Sequence, residues 1–319
     1  MRSTMSLYTL TSCIELGLLY GLLTLGIYIS YRILNIADLT VDGSFTLGAA
    51  VSVMMTTIGH PFLGILLGMI AGSLAGMVTA FLHTKLKIQP ILAGILTMTG
   101  LQSINISVMG GKPNVGLLNV ETLFTKSGEL FGKNFGGSLV GLLICTLVIM
   151  YMVLFLHTQV GLSVRATGDN EDMVKSSSIN VDFTKTIGLM LANALVGLSG
   201  ALIGQNQGFA DTSMGIGMVV AGLASLIIGE IIFGTLAELI FRKKNILIHI
   251  ISVLLGSVTY RVIIAAALEI NISASSMKLI SAIIITLAIS YPVLKEQLAF
   301  NRKKRLHGKV RKENETCSL

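Results

Sequence analysis

The sequence predicts an all-α, polytopic membrane protein, a transmembrane helical bundle of about nine hydrophobic segments. Three observations carry this. Of its 319 residues 53% are hydrophobic and only 12% charged, about half the charged share of a soluble domain. Gly is abundant, 34 against 4 Pro, without any collagen-like period, as in packed membrane helices. Apolar runs of about 20 residues, the length that crosses a bilayer, recur along the chain. The composition excludes a soluble globule and a disordered chain alike.

In order, the predicted segments are 12–33, 41–59, 62–82, 89–108, 136–156, 186–207, 215–240, 246–268 and 277–294. Two long polar stretches separate them, 109–135 and 157–185. The 215–240 segment is overlong and holds Glu230, so it reads as a broken helix or a re-entrant piece followed by a span. Such breaks survive at membrane depth only where they are buried or line a cavity. Orientation follows from Lys and Arg. With the C-terminal tail inside, 17 basic residues fall on the inner side and 5 on the outer, Arg261 lying within a segment. This puts 157–185 in the cytoplasm and 109–135 outside. Residues 1–294 form the membrane domain. Residues 295–319, with eight Lys/Arg against three Glu, form a basic cytoplasmic tail suited to anionic lipid. A single Phe, Phe300, lies among its charges, too little aromatic interleaving for a nucleic-acid partner to be expected.

A weak internal repeat is visible. Ile36-Ala37-Asp38-Leu39-Thr40 and Phe209-Ala210-Asp211-Thr212-Ser213 each follow an apolar helix and lead into a small-residue helix, on opposite sides of the membrane. An inverted-topology repeat predicts this arrangement; chance likeness of small-residue segments does so equally.

Catalytic chemistry is not indicated. The five His are scattered, the three Cys make no framework, and no metal-ligand spacing, nucleophile elbow or P-loop occurs. No cofactor is expected, and an ATP-driven process would need its motor on another subunit. Polar groups in spans are the remaining candidates. Asp38, Thr40, Asp42 and Ser44 could line a path or cap a broken helix. Asn105, Gln205 and Gln207 lie near outer ends, where they could line a mouth or face water. Glu230 and Arg261 could pair across helices. The Gly68, Gly72 and Gly76 steps read as helix packing. In the 157–185 stretch, Gly168 and Asp169-Asn170 form a turn, with Asp169 or Asn170 capping a short helix and another short helix before it. This is a docking knob for a partner or an ordinary solvated loop.

Gly161-x-x-x-Arg165-Ala166-Thr167-Gly168-Asp169-Asn170, followed by the Gly/Ala-rich run 191–201, resembles the cytoplasmic coupling loop of ATP-binding-cassette (ABC) importer permeases of the branched-chain amino acid and ribose type. Three further stretches match in order: Asn35–Ala49, Gly94–Asn114 and Gln207–Met218. The likeness covers most of residues 10–240 and is closest to the subgroup with tryptophan-type or unassigned substrates. This chain has Asn35-Ile36-Ala37 where that subgroup carries a Phe-Pro pair before the Asp. The resemblance implies the type II importer permease fold in a bacterial inner or plasma membrane. It also implies a second permease copy, two cytoplasmic ABC ATPases and an external substrate-binding lipoprotein. The cargo would be a small amino-acid-like solute, and Gly161, Arg165, Ala166, Thr167, Gly168, Asp169 and Asn170 would couple to the ATPase. The competing expectation is a stand-alone secondary transporter, which would need acids at mid-membrane.

Overall fold

The computed structural model describes residues 7–118, 120–132, 136–234 and 246–269, with isolated helical residues between 279 and 290. The helical bundle belongs to a unit ending at Ile272. A second unit begins at Ser273, so the predicted segment 277–294 and the basic tail lie outside the described residues apart from those isolated positions.

Helix α1 (Leu7–Ile27) continues through a π turn at Tyr28–Ile33. After a non-helical stretch come α2 (Thr40–Thr57), α3 (Pro61–Thr84) and α4 (Pro90–Val108), the last two starting on a proline whose fixed φ suits the first turn. Strand β1 (Asn114–Gly116), α5 (Leu123–Phe131), α6 (Gly136–His157), α7 (Gln159–Asp169), α8 (Glu171–Ser176) and α9 (Val181–Gln207) follow. Gly208, at φ 75°, terminates α9 in the left-handed conformation. Strand β2 (Phe209–Asp211) pairs antiparallel with β1, Asn114 opposite Asp211. Helix α10 (Met218–Ile228) ends in a second π turn at Gly229–Gly234, and α11 covers Ile246–Glu269.

Six described helices are long and apolar enough to cross a membrane: α1 with its π turn, α3, α4, α6, α9 and α11. The predicted segment 41–59 is helical at Thr40–Thr57 but is not among those six, and 215–240, expected to be broken or re-entrant, is helical at Met218–Gly234 within the described residues. Helix α2 is short, rich in Thr, Ser and Gly, and buried along most of its length by α9, α3 and α4. Its start lies at depth, because Asp38 just before it bonds Asn193, twelve residues into α9, or about 18 Å at 1.5 Å per residue. Residues 34–39 are the break, and Asn35 takes a φ of 55° without a proline nearby. Helix α10 also starts inside the bundle. Its first turn donates the Gly217 and Val219 N–H groups to the Asp42 carboxylate of α2 at 2.9 and 2.8 Å. Gly217 has no side chain to cap α10, so Asp42 supplies the cap from another helix. Both sequence repeats carry the same local turn: Asp38 Oδ1 accepts from Thr40 N, and Asp211 Oδ1 from Ser213 N.

The core centres on α9, packed between α1, α2 and α3. A Cβ on Gly197 would lie 2.6 Å from the Gly68 carbonyl oxygen, and one on Gly68 would lie 2.9 Å from that of Gly48. The glycine stripe is therefore the contact at which three backbones approach, as its spacing predicts.

The expected pairing of Glu230 with Arg261 is not what forms. Glu230 bonds Arg32 Nε at 3.1 Å, while the Arg261 guanidinium lies 3.4 Å from the centre of the Tyr20 ring. The reason is depth. Helix α10 begins within the bundle, so Glu230, twelve residues beyond Met218, reaches the end of α1 where Arg32 sits. Arg261 is accommodated by a cation–π contact instead. Because Arg32 is 63% exposed, we expect Arg32→Ala to lower thermal stability by no more than about 1 kcal/mol. Glu230→Leu combined with Arg261→Leu should rescue nothing.

Candidate functional site

Two groups of residues stand out. The first is the hairpin of α7 and α8. Thr158 caps α7 through Gly161 N at 3.1 Å, and Asn170 caps α8 through Met173 N at 3.0 Å. Gly161 and Gly168 are both helical, so their role is close approach and not a turn. A Cβ on Gly161 would collide with the Phe155 carbonyl oxygen of α6, and one on Gly168 with the Ile33 carbonyl oxygen at the end of α1. Thr167, buried, shares a 2.9 Å hydroxyl contact with Thr184 of α9. Val164 packs with Leu34, Ile36, Ala80 and Leu189. Ala166 accepts the Asn170 N–H at 2.9 Å, and Asp169 is exposed. Arg165 lines an open cavity of about 450 Å3 with Arg32, Asp169 and His249. The hairpin is thus fastened to the ends of α1, α6 and α9, with Met173 left exposed at 64%.

An ion pair completes the fastening. Lys185 of α9 bonds Glu171 at 2.8 Å and Lys175 bonds it at 3.0 Å. These two bonds hold the Glu171 carboxyl down to about 2. A depressed carboxylate stabilises fully above its ordinary value, near 4.5, and the contribution disappears as the pH falls through about 2. Hydrogen exchange in 171–176, corrected for intrinsic rates, should quicken over that window, and Glu171→Gln should show the faster exchange already at neutral pH.

The second group surrounds a small open cleft of about 70 Å3 between α2, α4 and residues 212–216. Asp42 and Asn105 line it, joined by Thr46, Gln102 and Thr212, which the sequence reading did not single out. Asn105 is 2% exposed; its Nδ2 donates to the Gly43 carbonyl at 3.4 Å and its Oδ1 has no partner among the described residues. Thr99, Gln102, Ser103 and Ser107 are exposed on the same spanning helix. Their 99, 103, 107 period was a legible signal of a polar face.

The other path candidates lie elsewhere. Asp38, Thr40 and Ser44 are buried. Asn193 Nδ2 donates to Asp38 Oδ2 at 2.6 Å, Ser44 Oγ donates to Asn193 Oδ1 at 2.7 Å, and the Thr40 hydroxyl meets that of Thr79 at 2.6 Å. Gln205 is buried, donating to Ser52 Oγ and the Pro61 carbonyl and accepting from Leu123 N at 3.0, 2.8 and 3.2 Å. It ties α9 to α2, α3 and α5. Gln207 is exposed. Among the described residues no group of three or more His, Cys, Asp or Glu is placed to hold a metal.

The sequence profile of the family described as the permease component of branched-chain amino acid transport systems matches residues 9–290. The chain belongs to that family. It is the multi-pass permease of an ABC importer in the bacterial inner membrane, a transport protein and not an enzyme, and its family works with ATPase and binding-protein partners. It is 37% identical to a tyrosine transport system permease of Clostridioides difficile, over 84% of this chain and 86% of the relative. An uncharacterised protein of Rickettsia prowazekii is 34% identical over 88% of this chain and 96% of the relative. The ribose import permease of Haemophilus influenzae is 26% identical over 60% of this chain and 59% of its own. No solved structure matched.

Proposed function

We propose that the chain acts as one of two permease copies, probed from the cytoplasm by two ATPases and fed from outside by a binding protein, to import a small amino-acid-like solute. The observation that carries the coupling role is the fastening of α7 and α8. Gly168 against Ile33, Thr167 against Thr184 and Lys185 against Glu171 leave the hairpin no way to move without moving α1 and α9. In this reading Gly161, Arg165, Ala166, Thr167, Gly168, Asp169 and Asn170 form the piece that the ATPase displaces, and the polar face of α4 borders the solute path. Residues 1–294 are the permease proper, and the tail 295–319 lies near anionic lipid. The 37% identity to a tyrosine permease supports an amino-acid cargo. The ion-gradient alternative draws no support from Glu230, which is paired with Arg32 at the end of α1.

The test is reconstitution with the cognate ATPase and binding protein in proteoliposomes. Uptake of labelled L-tyrosine or another amino acid should require ATP and survive collapse of proton and sodium gradients. Uptake that persists without the ATPase, or that stops with a protonophore, would defeat the reading.

A further inference from the structure

The cleft between α2 and α4 carries one charged group, the Asp42 carboxylate, among neutral polar side chains. Two half-helices begin at its depth, α2 and α10, and a half-helix N-terminus ordinarily offers its N–H groups to an anion. Here the chain's own carboxylates occupy both. Asp38 takes the Thr40 N–H, and Asp42 takes those of Gly217 and Val219. The helix N-termini therefore offer the cleft a carboxylate rather than free N–H groups. The Asp42 carboxylate keeps lone pairs beyond its two backbone bonds. Thr46 donates its hydroxyl to the Asp42 carbonyl at 3.0 Å and retains acceptor capacity.

Asn105 is the independent sign. Its amide orientation is fixed, because only nitrogen can donate to the Gly43 carbonyl, so Oδ1 is turned away from that bond. Oδ1 is buried and has no donor among the described residues. A buried amide oxygen left unbonded costs about 1–3 kcal/mol, which a ligand donor would recover. Among the described residues no Lys or Arg lines the cleft. A carboxylate would meet a like charge at Asp42 and only neutral donors, the Gln102 amide and the Thr212 hydroxyl. A protonated amine carries three donors and a charge opposite to that of Asp42, while Met98 and Ile216 offer apolar walls beside it.

We infer that this cleft is a subsite for the protonated amine of the cargo, held by Asp42 and Asn105 Oδ1. It deepens the amino-acid reading above and rests on it for its physiological meaning, but its chemistry can be tested separately. The probe is tyramine, which has the amine and lacks the carboxylate. Hydroxyphenylpropionate, with the reverse, and ribose serve as comparisons. With the full chain in lipid nanodiscs, saturation-transfer NMR should show tyramine binding and neither comparison.

Asn105→Leu should weaken tyramine by at least about tenfold, the scale of one lost hydrogen bond to a charged group. Asn105→Asp, which keeps an acceptor, should retain binding. Should Asn105→Leu fail to fold, Gln102→Arg places a cation at an exposed position of the same cleft and should abolish tyramine binding, whereas Gln102→Glu should not. Tyramine binding no better than hydroxyphenylpropionate or ribose, or binding unchanged by both Asn105→Leu and Gln102→Arg, overturns the subsite. Those results leave ATP-driven amino-acid uptake standing. Conversely, tyramine binding that these variants remove, in a permease that takes up no amino acid, keeps the subsite and refutes only the cargo.

Discussion

Asp38→Leu is expected to lower the stability of the purified permease by about 2–5 kcal/mol, the cost of two buried donors left without an acceptor. Asp38 is 6% exposed, and its two oxygens take Asn193 Nδ2 at 2.6 Å and Thr40 N at 2.9 Å. Without it, the turn that starts α2 at depth loses its anchor and Asn193 retains only its bonds to Leu189 and Ser44. Ser44→Ala removes a single neutral donor, so it should cost less, about 1 kcal/mol. Asp38→Asn should fall between, since its amide can still accept from Thr40 but offers Asn193 a second acceptor no longer. Thermal or denaturant unfolding in detergent orders the three. An Asp38→Leu variant as stable as the parent would mean that the network does not hold the break in place.

Gly168→Val is expected to leave a permease that reaches the membrane but transports at least about tenfold less, equivalent to about 1.4 kcal/mol of lost coupling. The residue is in α7 with its Cα against the Ile33 carbonyl, where even the first side-chain carbon has no room. Because both neighbours are backbone, neither can rotate away. The hairpin must lift from α1 while its contacts to α9 through Thr167 and Lys185 persist. ATP hydrolysis by the assembled importer should continue while uptake falls, and Gly168→Ala, whose one carbon already meets the Ile33 carbonyl, should lower transport as well. Uptake at the parental rate by Gly168→Val would remove α1 from the coupling route.

Much of the fold is legible because hydropathy and length report directly on a bilayer. Eight of the nine predicted segments correspond to described helices, with ends close to those expected. Helix α2, which falls short of a span, exposes the limit of that reasoning. Hydropathy measures whether a segment tolerates an apolar surrounding, not whether lipid or the chain itself provides it. The Gly- and Thr-rich α2 is sheathed by α3, α4 and α9, so it needs neither full length nor high hydropathy. Short-range capping at Asn170 could be read from residue type. Asp42 capping α10 across 175 positions of sequence, and Arg32 reaching Glu230, could not. The same blindness placed Glu230 at mid-span, because depth along α10 depends on where that helix begins. For the candidate site, the hairpin was visible in its polar turn and paired acids. The cleft was only half visible: Asp42 and Asn105 attracted notice as polar residues in spans, whereas Gln102 and Thr46 required the contact of α2 with α4.

The central claim is that the α7–α8 hairpin is where the cytoplasmic ATPase acts on this permease. It is tested most directly by site-directed cross-linking in a chain with Cys13, Cys145 and Cys317 replaced. Met173→Cys, on the exposed side of α8, should cross-link to the purified cognate ATPase, and the yield should change when ATP is added. Glu121→Cys, 76% exposed before α5 on the predicted outer side, should react with a membrane-impermeant thiol reagent from outside and form no such link. A cross-link from position 121 and none from position 173 would contradict both the orientation and the coupling role.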